Sequence, residues 1–233
     1  MNTDGFPDVL GGLTPTRARE VAAPDPALAK SQVVINTHRS VLKILGTAPS
    51  CSRRIEGTGF VYAPERVMTN AHVVAGTRDV AVETGSGRLD ATVVVYDPER
   101  DLAVLYVPGL KAPVLNFVPK AATAGASSIV LGYPLDGPYN AQSARIREVS
   151  KITGPDIYDR NDVTREIYTI RSLVQSGNSG GPMITTNGQV LGVVFAAAAD
   201  DKQTGFVLTA AEAAGVAREG QTGTRSVRTG SCA

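Results

Sequence analysis

The stretch Gly177-Asn178-Ser179-Gly180-Gly181-Pro182 sets one hydroxyl between glycines on either side. Glycines let the backbone fold tightly and leave the hydroxyl and nearby N–H groups exposed, so such a loop can hold a nucleophile and the donors for a developing oxyanion together. Taken alone, it reads equally well as a Gly-rich turn. Its partners decide. A serine nucleophile needs a base, and the 233-residue chain has 2 histidines, His38 and His72, both ahead of Ser179. That order excludes the strand–elbow–helix hydrolases, which the Gly-x-Ser-x-Gly spacing from Gly177 to Gly181 formally matches, because in them the histidine follows the serine. An order with aspartate ahead of histidine is weak too, since only Asp4, Asp8 and Asp25 are available.

His72 lies in Met68-Thr69-Asn70-Ala71-His72-Val73-Val74, where a β-like run stops and small residues bring the chain round. This setting presents an imidazole at the end of a strand. His38, in Asn36-Thr37-His38-Arg39, reads as solvated surface, and His72 by itself would read as a structural histidine. A base must also be held in the right tautomer, which a buried carboxylate accepting its other N–H achieves. Asp101 stands at the mouth of the apolar run Leu102-Ala103-Val104-Leu105, where a carboxylate needs a partner to be tolerated. Asp97, in Asp97-Pro98-Glu99-Arg100, is the alternative and looks like a turn residue.

Lys+Arg 23 against Asp+Glu 22 leaves a net charge of +1, too little field to steer nucleic acid, so none is expected as a partner. With 42% apolar and 19% charged residues, the chain is globular. No run approaches the ~18 apolar residues of a spanning helix, and no secretory signal is visible at Met1-Asn2-Thr3-Asp4. From Ser40 onward, short runs of Val, Ile, Leu and Thr are broken by Gly or Pro about every 8–12 residues, the signature of an all-β sandwich or barrel. The predicted strands are Ser40–Leu45, Gly59–Tyr62, Arg66–Thr69, Asp79–Glu83, Leu89–Asp97 and Leu102–Val107, then Ser128–Leu131, Ala144–Ile152, Ile167–Ile170, Pro182–Thr185, Gln189–Ala196 and Gly205–Thr209. These divide the chain into an arm or linker (1–39), a first barrel (40–118) and a second barrel (119–233) closed by a helix over Ala210–Arg218 and a polar tail. A short helix is predicted over Ala27–Asn36. No repeat of fixed period relates the halves.

Gly57-Thr58-Gly59-Phe60-Val61, the His72 segment, Asp101-Leu102-Ala103-Val104-Leu105 and the Ser179 loop together resemble the trypsin-like serine proteases of the HtrA/Deg branch. Gly188-Gln189-Val190-Leu191-Gly192-Val193 and Gly205-Phe206-Val207 extend the resemblance over roughly Ser40 to Thr209. It implies a chymotrypsin-type double β-barrel with the active site in the cleft. By this resemblance His72 is the base, Asp101 its orienter and Ser179 the nucleophile, with the N–H groups of Gly177 and Ser179 as oxyanion hole. Leu173, six residues before Ser179, would floor the specificity pocket, with Ala196 and Ala197 on one wall and Gly205 opposite. Such a pocket is apolar and should not favour Lys or Arg. No cofactor is implied. A metal site is disfavoured as well, for want of Cys-x-x-Cys or a close histidine pair.

Asn178 departs from the digestive trypsins, which carry an aspartate there that pairs with a newly cut N-terminus, so that activation is not expected. With no room for a PDZ domain, the chain is similar to PDZ-less, membrane-anchored acid-resistance proteases of mycobacteria. That likeness implies an extracytoplasmic, monomeric protease domain with the arm as its stalk, contact with membrane only through a segment outside this chain, and cell-envelope proteins as substrates, peptidoglycan hydrolases among them. In an exported protein a Cys51–Cys232 bridge would close nearly the whole domain, worth about 5 kcal/mol by chain entropy. The competing reading is a catalytically inert peptide-binding module on the same fold.

Overall fold

All twelve apolar runs become strands. The structure, a computed structural model, describes residues 19–233. The first barrel comprises β1 (Val41–Ala48), β2 (Arg53–Ala63), β3 (Arg66–Thr69), β4 (Asp79–Thr84), β5 (Gly87–Asp97) and β6 (Leu102–Tyr106). The second comprises β7 (Ser127–Gly132), β8 (Asn140–Pro155), β9 (Asp162–Arg171), β10 (Pro182–Ile184), β11 (Val190–Ala197) and β12 (Thr204–Thr209). Each sheet is antiparallel and closed, in the orders β1-β2-β3-β6-β5-β4 and β7-β8-β9-β12-β11-β10. Closure removes the exposed edges that β-branched strands would otherwise offer to other chains. Register shifts between Val93 and Val95, Ile146 and Glu148, and Val194 and Ala196 bend the strands round the barrel corners.

Alternation along the strands sorts the apolar side chains into three cores. Leu42, Ile44, Val67, Val82 and Leu105 fill the first barrel, and Ile146, Tyr168, Ile170, Met183 and Val207 the second. Phe60, Met68, Leu102, Val104, Leu131, Phe195 and Leu208 belong to the largest cluster, which draws on both barrels. The chain crosses between barrels on backbone bonds, with the Leu115 N–H donating to Val61 O and the Val118 N–H to Val190 O. Among the described residues three α-helices add to the barrels: α1 (Gln32–Thr37), α2 (Ala71–Val74) and α3 (Ala210–Gly220). Thr209 caps α3 by accepting the Glu212 N–H, and Ala213 and Val216 enter the shared core.

The described part of the arm does not stand off as a linker. Arg145, Arg147 and Arg171, on β8 and β9, donate to the carbonyls of Ala23, Arg19 and Val21. An extended segment with few apolar residues can therefore dock through its backbone acceptors, which composition does not reveal. The helix expected over Ala27–Asn36 is interrupted: a 3-10 turn at Pro26–Lys30 and α1 are separated by extended Ser31. The Ser31 hydroxyl donates to Leu28 O at 2.6 Å, the local competition with the helix ladder that serine offers.

Candidate active site

Strand β3 ends at Thr69, and the single turn α2 then carries His72. Asp101 begins the return at the start of β6, in a left-handed conformation with φ +59°. Its side chain is fully buried and uses both oxygens on one residue. Oδ2 lies 2.7 Å from His72 Nδ1, and Oδ1 accepts the His72 backbone N–H at 2.9 Å. Asn70 Nδ2 donates to the Asp101 carbonyl at 2.8 Å, so one strand end and one turn are tied at three points. A carboxylate at Nδ1 leaves Nε2 as the unprotonated nitrogen of a neutral imidazole. Asp97 is held elsewhere, accepting from the Arg100 N–H and guanidinium, and His38 stacks on Tyr139 with ring centroids 4.2 Å apart.

The Ser179 loop is pressed against the same place. The Thr58 N–H donates to Ser179 O at 2.9 Å. A Cβ at Gly180 would meet Thr58 O and Thr69 Oγ1 and stand 3.0 Å from the Asn70 N, two residues before His72. Gly57 sits between Val73 and the Ser179 carbonyl, with no room for a side chain. Gly177, at φ +93°, backs onto the Tyr133 carbonyl. Among the described residues neither the Gly177 nor the Ser179 N–H has an acceptor, while those of Asn178, Gly180 and Gly181 are bonded to Gln175, Val194 and Asn178. Two free amides flanking one hydroxyl can receive a negative oxygen. Asn178 is buried, with Oδ1 against Gly132 and Nδ2 unpartnered.

The residues expected to shape the pocket divide. Ala196 and Gly205 are buried and Ala197 is partly exposed. Leu173, however, is 41% exposed, and it is Val174, 5% exposed, whose Cγ2 fills the space beside Gly205. Counting back from Ser179 locates the segment; which of two adjacent side chains turns inward is set by the loop backbone.

Residues 57–193 match the trypsin-like peptidase domain. The chain belongs to the trypsin-like peptidase family. It is 54% identical over 234 residues to the serine protease Rv3671c of Mycobacterium tuberculosis (strain ATCC 25618 / H37Rv), covering 100% of this chain and 58% of that protein. The chain thus spans little more than half the length of that relative. The crystal structure of the Rv3671c protease in its active form superposes with TM-score 0.91 at 54% identity, covering 93% of this chain and 96% of that one. The inactive form gives TM-score 0.78 at 54% identity, covering 86% and 98%.

In this trypsin-like peptidase, residues that the sequence did not single out support the loops. Thr58 Oγ1 donates to Gly177 O at 2.6 Å and accepts the Tyr133 N–H at 3.0 Å, coupling β2, β7 and the serine loop. Lys43 pairs with Asp136, which closes the next turn. The Cys51–Cys232 disulfide forms, with Cα atoms 6.5 Å apart, and brings Cys232 Sγ against Gly76, two residues beyond α2. Among the described residues no helix is long and apolar enough to cross a membrane.

Proposed function

We propose that the chain is a serine endopeptidase working through an acyl-enzyme. Ser179 Oγ attacks the peptide carbonyl while His72 takes its proton and passes it to the leaving amine; water then attacks the ester with His72 again as base. Asp101 stays ionised and holds the imidazole. The Gly177 and Ser179 N–H groups receive the oxyanion. The observation that carries this reading is the 2.7 Å contact between His72 Nδ1 and a wholly buried Asp101 carboxylate, because burial of that charge is tolerated only with a committed partner. A pocket formed by Ala196, Ala197 and Gly205, narrowed where Val174 packs beside Gly205, would favour cleavage after small or medium apolar residues over Lys or Arg.

The disulfide supports an oxidising, extracytoplasmic site of action. Cell-envelope proteins are the substrates that fit there, peptidoglycan hydrolases included, with a role under acid or oxidative stress and the domain acting as a monomer. The test is labelling by an active-site phosphonate beside cleavage-site mapping. Intact protein should label and Ser179→Ala should not, with turnover in the variant lower by about 10⁴–10⁶. An unlabelled intact protein would leave the inert peptide-binding module, and faster cleavage after Arg than after Leu, Val or Met would overturn the pocket assignment.

A further inference from the structure

Among the described residues Arg165 is the largest side chain with no exposed surface, and it stands on β9 of the second barrel. A buried guanidinium is costly unless its donors and its charge are both answered. Nε donates to Glu99 O at 2.7 Å and Nη2 to Pro155 O at 2.9 Å, while the buried Nη1 has no hydrogen-bond partner. Glu99 lies in the turn that delivers Asp101 two residues later. A strand of one barrel therefore grips the loop of the other that carries the imidazole's carboxylate.

The charges that act on it come from both barrels, Asp101 the strongest among them. Four acids face Arg165: Asp101 and Asp97 from the first barrel, Asp156 from the β8–β9 loop and Glu212 from α3. Asp97 and Glu212 are both bridged by Arg100. Asp156 accepts the N–H groups of Tyr158 and Arg160 and the Asn161 amide. Asp101, which acts most strongly of the four, is bonded through both oxygens to His72 and is faced otherwise by neutral Tyr96, whose hydroxyl meets that of Tyr158 at 2.6 Å. Burial draws the Arg165 guanidinium down from its usual range and the acids oppose this, Asp101 most strongly; an arginine nonetheless stays charged.

Resting on the triad reading above, we propose that Arg165 is a positioning residue for catalysis: it holds the Asp101 turn through Glu99 O, and its charge offsets the Asp101 carboxylate behind His72. The proton that His72 takes from Ser179 then arrives beside a carboxylate whose field the guanidinium weakens, so the imidazolium is less stabilised.

The test is the pH dependence of kcat/KM on an internally quenched peptide with leucine at the cleaved position, together with proton NMR of the imidazoles in a Ser179→Ala background. With 2 histidines in the chain, the two ring signals are resolved by type of site, His38 serving as reference. In Arg165→Gln the acid limb and the His72 ring titration should both move to higher pH, by about one unit for the loss of one nearby charge. Arg165→Lys keeps the cation but cannot span both carbonyls, so kcat falls while limb and titration stay at their wild-type positions. An unmoved limb in Arg165→Gln, or a limb in Arg165→Lys displaced upward, overturns the proposal; should Arg165→Gln not fold, the Lys variant decides by itself. Undiminished turnover in Ser179→Ala or His72→Ala would instead sink the triad reading beneath it.

Discussion

Asp101 adopts a left-handed backbone that costs an L-residue on the order of 1–3 kcal/mol, a strain that persists only where the surroundings over-determine it. Here both carboxylate oxygens, and the carbonyl through Asn70, are committed to the His72 segment. Asparagine tolerates the same φ but presents an N–H that can turn toward Nδ1, which puts the ring proton on Nε2 and disables the base. Asp101→Asn should therefore fold normally and lose about 10⁴ in kcat. Steady-state kinetics beside thermal unfolding checks this, and a loss of less than tenfold would remove Asp101 from the orienting role. The residue types at His72, Asp101 and Ser179 could be picked out from sequence because only two histidines competed and chain order eliminated other arrangements. Thr58 and Arg165 could not, since threonine and arginine are too common in the chain for residue type to single out a supporting role.

At the scale of elements, the apolar cores of the strands were legible and their ends were not. β8 and β9 run on to Pro155 and Asp162 as a polar hairpin, since ladder bonds between neighbours continue where the apolar pattern stops. The loop they enclose is organised by Asp156. Burial raises its carboxyl, but donation from Arg160, Tyr158 and Asn161 outweighs this and holds it below the usual carboxylate range. A carboxyl depressed in the folded state contributes stability above its unfolded pKa, near 4, and loses that contribution as pH falls through the lower folded value. Asp156→Ala should destabilise the protein by about 1–3 kcal/mol at pH 7, by leaving donors unpaired. The deficit should shrink between about pH 5 and pH 2, where the wild-type carboxylate is itself protonated. Urea midpoints of both proteins at the two ends of that range measure it, and a deficit independent of pH would assign the effect to packing instead.

For the whole molecule, the strand order of the second barrel repeats that of the first, six strands on. No sequence period announced this, because the repeat lies in hydrogen-bond connectivity and not in side chains. The C-terminal tail is tied to the turn between β1 and β2 by the disulfide, which spans 181 residues. Closing so long a loop removes entropy from the unfolded chain worth about 5 kcal/mol at most, less where the unfolded state keeps structure. Thr229 also binds Gly76 and Thr77 through backbone and hydroxyl, so the bridge steadies the turn that follows His72. Cys232→Ser should lower the denaturation free energy by several kcal/mol within that limit, and a reductant should shift the midpoint of the native protein but not that of the variant. An equal midpoint for the two oxidised proteins would show that the bridge adds nothing to stability.

By itself the sequence determined the class of fold, the positions of the strands and the three residue types of the site, because period-two burial, glycine punctuation and chain order are local or one-dimensional properties. Tertiary structure alone decided that Val174 rather than Leu173 packs beside Gly205, that Arg19, Val21 and Ala23 dock on β8 and β9, and that Arg165 grips the Glu99 carbonyl two residues before Asp101. A strand's alternation says which side chains turn inward. What they meet there depends on how the two barrels are docked, and that follows from the summed packing of side chains remote along the chain.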